Sequence, residues 1–155
     1  MAYLYKKADM SDISLLTSTR IKVLRAANEL DESADMSLIE QESRRYYERA
    51  LADGSHTAFL VMDGEKVIGT GGISYYDVMP TCDVPTGRKA YVMNMYTDPA
   101  CRRQGIAMKT LSLLVEDAKS RGVTFISLEA TRMGRPLYER YGFIPMEHEM
   151  ILPDE

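Results

Sequence analysis

The fold is decided between residues 97 and 107, which read TDPACRRQGIA. An apolar run over 90–97 comes first and predicts a β-strand, and the Asp-Pro pair at 98–99 breaks it. The segment that follows, 105–121, repeats apolar residues at the spacing of one helical face: Ala107, Leu111, Leu114, Val115 and Ala118. The stretch therefore joins a strand to the strongest predicted helix through a short basic turn.

The beginning of this helix has the properties of an anion site. The first N–H groups of a helix lack internal partners and carry the positive end of its dipole. Small residues at Gly105 and Ala107 let an anion come close, and Arg102 and Arg103 add positive charge. A pyrophosphate cradle and an ordinary helix start with surface arginines both fit this segment alone. The P-loop and dinucleotide-binding glycine motifs are missing at this junction.

The rest of the chain predicts an α/β fold. A strong turn at Asp63-Gly64 indicates an early antiparallel hairpin, Ser37 and Glu40 fit a capping box, and the glycines over 69–72 indicate bulges or close backbone approach. Strand, helix and strand over 90–130 should form a parallel, right-handed unit. The predicted strands are 3–5, 57–62, 66–76, 90–97, 123–130 and 143–152, and the predicted helices are 11–29, 37–51, 105–121 and 135–140.

Composition restricts the class of protein. The length of 155 residues predicts one globular domain over 1–155. The formal net charge is −4. With no basic run of five residues, we expect neither a nucleic acid nor a membrane as partner. No secretory or membrane-spanning pattern is present, and free cysteines suit a cytoplasmic location. A metal site is not expected, because the candidate ligands are isolated: His56, Cys82, Cys101 and His148.

Two motifs resemble the GNAT superfamily of N-acetyltransferases. Residues 102–107, RRQGIA, match the pattern [Q/R]-x-x-G-x-[G/A] that marks the coenzyme A site of that family, and 95–99, MYTDP, resemble the strand end before it. Residues 137–143, LYERYGF, match a second signature, LY-x-x-x-GF. The motifs stand in the family's order on the expected elements, and the resemblance covers nearly the whole chain. It implies a mixed, mostly antiparallel central sheet flanked by helices.

The resemblance also implies a co-substrate, acetyl-coenzyme A, with no metal. Backbone groups of Met95, Tyr96 and Thr97 would pair with the pantetheine arm. Tyr138 matches the tyrosine that protonates the leaving thiolate; its reference pKa near 10 suits that role, although a packed helix tyrosine is the alternative. The residues that the resemblance assigns to the pyrophosphate are Arg102, Arg103, Gln104, Gly105, Ile106 and Ala107.

Some positions depart from the family pattern. Thr131 and Gly134 stand where many members have Asn and Ala, and Tyr91 stands where some members have a glutamate base. The general base therefore stays open between a water chain and three carboxylates on or next to strands. These carboxylates are Asp77, Glu129 and Glu147. Asn94 either binds the acceptor or completes a polar contact.

The sequence gives less information about the acceptor substrate than about the co-substrate. We expect the helices at 11–29 and 37–52 and the loop at 77–88 to wall its pocket, with Tyr46, Tyr47, Tyr75 and Tyr76 either lining it or packing in the core. The long loop favours a small-molecule primary amine. The alternatives are a protein N-terminus or lysine, or a non-catalytic acyl-coenzyme A binding module. The protein is expected to be a monomer or a homodimer, with 146–152 as a possible pairing edge.

Overall fold

The computed structural model describes residues 2–154. Two single-turn 3₁₀ helices, Met10–Asp12 and Pro99–Cys101, precede the first and third α-helices. The strands are β1 (Leu4–Lys7), β2 (His56–Asp63), β3 (Lys66–Asp77), β4 (Arg88–Thr97) and β5 (Phe125–Leu128). The helices are α1 (Ile13–Ala27), α2 (Ser37–Asp53), α3 (Ile106–Ser120) and α4 (Arg135–Tyr141).

The five strands form one sheet in the order β1-β2-β3-β4-β5. The first three pairings are antiparallel, and β4 pairs with β5 in parallel. The predicted hairpin is present, one residue further along than the Asp-Gly pair indicates: Asp63 is still paired with Lys66, and the two turn residues are Gly64, with φ +61°, and Glu65. The predicted mixed, mostly antiparallel α/β sheet flanked by helices is confirmed.

Side chains on β2 alternate between the two faces of the sheet. Phe59 belongs to the core cluster that includes Leu114 of α3, whereas Leu60 packs with Leu16 of α1 on the opposite face. Leu60 and Leu114 are completely buried. Burying a leucine contributes about 1.5–3 kcal/mol, so both helical layers are anchored firmly to the sheet.

Strand β4 contains a bulge at Asn94 and Met95. Thr70 pairs with Tyr96 and Gly72 with Met93, which leaves Gly71 opposite two residues of β4. Asn94 adopts φ +60°, a left-handed conformation that asparagine tolerates better than most residues. The bulge redirects the strand at mid-length.

The parallel pairing of β4 with β5 ends just before this bulge, at Val92 and Leu128. Within residues 2–154, the edge of β4 that faces β5 therefore has no strand partner over 93–97. Unpaired N–H and C=O groups on such an edge are available to a ligand.

A close backbone approach brings α3 over this region. A Cβ at Gly71 would lie 2.7 Å from Met95 Sδ and 2.8 Å from Thr110 Cγ2. Glycine is thus required where the helix crosses β3, as the glycine-rich strand predicts. The crossing places the beginning of α3 beside the end of β4.

Two local predictions are wrong. Ser37 does not cap α2 but is its first residue, with Met36 at the N-cap. The Asp35 carboxylate accepts hydrogen bonds from Ser37 N at 3.0 Å and Ser37 Oγ at 2.7 Å. The Ser37 hydroxyl is therefore occupied by a neighbouring carboxylate instead of by the helix.

The predicted final strand over 143–152 is also absent from the described residues, and β5 ends at Leu128 instead of residue 130. Residues 144–152 are exposed and pair with no strand in the described part of the chain. An apolar, extended pattern alone gives no ladder hydrogen bonds, because a strand needs a partner edge.

Candidate active site

The turn between β4 and α3 leaves a row of backbone N–H groups free. Arg103 and Gly105 both have positive φ, +66° and +78°. A Cβ at Gly105 would meet nothing within 4 Å, so the space beside it is open. Across residues 2–154, no hydrogen bond is donated by the backbone N–H groups of Arg103, Gln104, Gly105, Ile106 or Ala107. This geometry and the helix dipole suit a pyrophosphate.

The open edge of β4 leads to this turn. Met95, Tyr96 and Thr97 follow the bulge and carry backbone groups without a strand partner on the β5 side in the described residues. Thr97 Oγ1 is buried and has no hydrogen-bond partner in that same part of the chain. The edge and the turn are separated by residues 98–101, in which the N–H groups of Asp98, Ala100 and Cys101 are hydrogen-bonded, so the unpaired groups form two adjacent sets, one on each side of this segment. An extended amide-containing arm ending in a diphosphate fits these groups.

Tyr138 lies in α4 with its ring in the core. Its side chain is buried, its ring meets Phe143 edge to face at 6.1 Å, and it shares a core cluster with Val92, the last β4 residue paired to β5. Burial raises the pKa of Tyr138, which keeps the phenol protonated at neutral pH. Within residues 2–154 the hydroxyl has no hydrogen-bond partner, yet it is not fully enclosed. It can therefore donate a proton to a ligand.

The turn before α4 uses Thr131 structurally. Thr131 Oγ1 accepts a hydrogen bond from Gly134 N at 3.1 Å, and Thr131 O accepts one from Arg135 N at 2.9 Å. The threonine thus organises the turn that positions α4. Its hydroxyl is already engaged in this turn.

A cavity of about 450 Å³ lies between the first two helices and the sheet. Met93 and Asn94 belong both to its wall and to the part of β4 where the open edge begins. The cavity therefore meets the open edge at the bulge. Its lining residues are Arg20, Leu38, Ile39, Glu42, Ser43, Tyr46, Tyr47, His56, Ser74, Met93 and Asn94.

The polar groups inside the cavity are mostly neutral. The Tyr46 hydroxyl lies 2.6 Å from Ser74 Oγ and 3.0 Å from His56 Nδ1. Burial, with a smaller contribution from Arg20, lowers the pKa of His56 to about 4, so the imidazole is uncharged at neutral pH. Burial raises the pKa of Tyr47 to about 12. His56 Nε2 is buried and has no partner in the described residues.

The expected acceptor wall is only partly observed. The first two helices line the cavity with Tyr46 and Tyr47, but none of the residues from 78 to 87 does, so the long loop is not a wall of this cavity. Tyr75 and Tyr76 line a separate depression. There the Tyr75 hydroxyl donates to Asp117 at 2.6 Å.

None of the three suggested base carboxylates lines the cavity: Asp77, Glu129 and Glu147 are all exposed and lie elsewhere. The acidic side chain at the cavity is Glu42, which is exposed and pairs with Arg45 at 3.1 Å. Sequence reasoning missed Arg20, Glu42 and His56 as site residues. A half-buried arginine in a helix and a histidine at the start of a strand belong to no recognisable motif. Only the tertiary fold brings them into one cavity with Asn94.

Neither a metal cluster nor a spanning helix is found in residues 2–154. No three His, Cys, Asp or Glu side chains there gather closely enough to hold a metal ion. Likewise, no helix in that range combines the length and apolar character needed to cross a bilayer.

Comparison with known proteins points to one family. The model of the acetyltransferase (GNAT) family matches residues 24–143. A predicted acetyltransferase from Clostridium acetobutylicum, solved with acetyl-CoA, is 37% identical with a TM-score of 0.90, over 98% of this chain and 96% of that one. A GCN5-related N-acetyltransferase from Ralstonia eutropha JMP134 is 26% identical with a TM-score of 0.84, over 99% of both chains.

One curated relative is also similar. The uncharacterized N-acetyltransferase YsnE of Bacillus subtilis is 28% identical over 92 residues. The match covers 56% of this chain and 55% of the relative, so the chain spans about half the length of that relative.

Proposed function

This chain belongs to the GNAT acetyltransferase family, and we propose that it transfers the acetyl group of acetyl-coenzyme A to a primary amine of a small molecule. One observation carries the proposal: Met93 and Asn94 border both the open edge of β4 and the cavity beneath α1 and α2. A donor along the edge and an acceptor in the cavity would meet at the bulge. Holding two reactants together in this way removes much of the entropic barrier to reaction.

The donor side uses main-chain groups. Met95, Tyr96 and Thr97 bind the pantetheine arm with their backbone, and the free N–H groups over 103–107 bind the pyrophosphate. Acetyl-coenzyme A supplies an activated thioester carbonyl and a thiol leaving group when bound. The 37% identical structure solved with acetyl-CoA supports this choice of donor.

Tyr138 supplies the proton that the leaving sulfur needs. Its pKa is raised by burial, so the hydroxyl is protonated at neutral pH and available as a proton donor. The sulfur gains negative charge as its bond to the carbonyl carbon breaks, and transfer of the Tyr138 proton to it in the transition state lowers the barrier. The other half of the reaction is loss of a proton from the acceptor nitrogen.

The acceptor amine must enter the reaction neutral, because an ammonium ion has no lone pair. His56 is a poor base, since its pKa of about 4 lies far below that of an amine. Glu42 is exposed at the cavity and paired with Arg45. We therefore assign deprotonation to water, and expect the pH dependence of kcat/KM to follow the pKa of the acceptor amine.

The size of the cavity favours a small acceptor over a polypeptide. A volume of about 450 Å³ lies within the range of pockets that enclose small molecules, about 300–1,000 Å³. Tyr46 and Tyr47 give the walls apolar faces with hydroxyl groups, which suits an amphiphilic ligand.

The test is release of free thiol from acetyl-coenzyme A with a panel of amines. The panel contains amino acids, simple alkyl and aryl amines, a peptide with a free N-terminus and a peptide with an internal lysine. We expect release with one or more small amines and none with the peptides. Thiol release with the peptides alone would show that the protein acetylates polypeptides. Binding of acetyl-coenzyme A without thiol release from any amine would indicate a non-catalytic acyl-coenzyme A binding module.

A further inference from the structure

Among the described residues, Arg20 is the one cationic side chain in a cavity wall that also contains one carboxylate, Glu42. It projects from α1, lines the cavity and is partly buried. Its Nη1 donates a hydrogen bond to Asn94 Oδ1 at 3.0 Å, which is the one side-chain bond that it makes within residues 2–154. A guanidinium has five N–H donors, so most of them remain available. Nε and Nη2 have no partner there and are not among the buried polar atoms, so they stay accessible.

No carboxylate in the described residues neutralises this charge. The ion pairs in that part of the chain do not include Arg20. His56 and Tyr47, which lie in the same cavity, are both uncharged at neutral pH. Glu42 also lines the cavity, but it is exposed and its carboxylate pairs with Arg45 at 3.1 Å. Partly buried arginines are normally paired, because removing a charge from water is costly.

The Arg20 guanidinium is also held in place by Asn94 of β4. Asn94 lies in the β4 bulge, and its side-chain oxygen receives the Arg20 bond. The free donors of Arg20 therefore lie in the cavity next to the point where the donor edge begins. A planar guanidinium presents paired N–H groups that match the two oxygens of a carboxylate.

The mouth of the cavity is apolar. Leu38 and Ile39, in the first turn of α2, are exposed by 68% and 43% and line the cavity. Tyr47 and Met93 add further apolar surface to the same cavity wall as Arg20. A ligand with an apolar body and one anionic group matches this wall better than a polyamine or a sugar does.

We propose that the acceptor is an amine that also carries a carboxylate and an apolar side group, that Arg20 binds the carboxylate, and that Asn94 orients the guanidinium. The proposal rests on the proposed acetyl transfer, which it makes specific. Arg20 is a binding residue in this account, and Asn94 is a positioning residue.

The first test compares acceptors that differ only in the carboxylate: phenylalanine with phenethylamine, and leucine with 3-methylbutylamine. We expect kcat/KM of the wild-type protein to be higher for each amino acid by about 10- to 100-fold, the value of charged hydrogen bonds. Arg20→Gln should abolish this preference by raising KM for the amino acid, and Arg20→Lys should restore part of it. Asn94→Gly, which tolerates positive φ, should raise the same KM without changing acetyl-coenzyme A affinity.

The second test measures binding without turnover. N-acetylphenylalanine and N-acetylphenethylamine, the two products, are titrated into protein that holds coenzyme A. Wild-type protein should bind the carboxylated product tighter by about tenfold or more, and Arg20→Gln should lose the difference. Arg25→Gln removes an equal charge from the same helix outside the cavity and should behave as wild type.

The outcomes separate the two claims. Equal binding of both products, or binding of neither, overturns the carboxylate inference even if other amines are acetylated. Preferential binding of N-acetylphenylalanine that depends on Arg20, without thiol release from any amine, supports the inference and contradicts catalysis. Turnover that favours the amines without a carboxylate overturns the inference and leaves acetyl transfer intact.

Discussion

Gly134 and Tyr138 lie one helical turn apart and are in close contact. A Cβ at residue 134 would lie 3.0 Å from Tyr138 Cε2 and 3.2 Å from Thr131 Oγ1. Gly134 has φ −82° and ψ −21°, a conformation open to any residue, so it is the space that calls for glycine there. The lack of a side chain at 134 therefore helps to set the position of the tyrosine ring.

Gly134→Ala should displace this ring by a few tenths of an ångström. We expect kcat to fall about tenfold, because the proton donor would be misaligned with the sulfur. Acetyl-coenzyme A affinity should stay unchanged, since residue 134 is outside the cradle. Steady-state kinetics and calorimetry measure the two quantities. Thr131→Ser keeps the hydroxyl that accepts from Gly134 N and is the matched control; unchanged kcat in Gly134→Ala would show that the ring position is not critical.

Tyr138→Phe tests the acid directly. Removing the hydroxyl should lower kcat by about 100-fold or more, as for other general acids. The melting temperature should barely change, because the hydroxyl has no hydrogen-bond partner within the described residues. Tyr141→Phe, in the same helix, should retain wild-type kcat. Full activity of Tyr138→Phe would mean that another group or water protonates the thiolate.

Gly105→Glu tests the cradle. The new carboxylate would repel the pyrophosphate beside the free N–H groups, and the affinity for acetyl-coenzyme A should fall by about 100-fold or more. Gly122→Glu is a matched control, because Gly122 at the other end of α3 also has positive φ, +75°, and open space around it. Both variants should lose about 1–2 kcal/mol of stability through backbone strain. Equal affinities in the two variants would remove the pyrophosphate from this turn.

His56 should make stability depend on pH. Its pKa falls from 6.5 to about 4 on folding, so the unfolded chain binds the extra proton between these values. Stability is then complete above pH 6.5 and declines by about 3 kcal/mol as the pH falls to 4. Urea unfolding at several pH values measures this slope. His56→Gln should flatten it and His148→Gln should not; an unchanged slope in His56→Gln would show that His56 is not buried as a neutral group.

Local patterns in the sequence predict most of the fold. The hairpin indicated by Asp63-Gly64, the apolar stripe of α3 and the glycines of β3 each act through neighbouring residues, and all three are confirmed. Two predictions failed. The capping box failed for a local reason, because the carboxylate of Asp35, two residues earlier, accepts the hydrogen bonds of Ser37. The final strand failed because a second segment is needed, and residues 143–152 have no partner strand among the described residues.

The donor side and the acceptor side of the candidate site differ in how far the sequence predicts them. The donor side follows the chain continuously from Met95 to Ala107, so a linear motif identifies it. The acceptor side joins Arg20, His56 and Asn94 from three elements. Their hydrogen bonds and lowered pKa arise only when α1 and the sheet pack together, and no spacing in the sequence records that contact.

Calorimetric titration of the wild-type protein with acetyl-coenzyme A is the decisive experiment for the donor site. We expect this ligand to lie along the open edge of β4 and on the N–H groups before α3. The titration should give one site per chain with micromolar affinity, blocked in Gly105→Glu and retained in Gly122→Glu. The absence of any binding by the wild-type protein would contradict both the donor site and the acetyl transfer built on it.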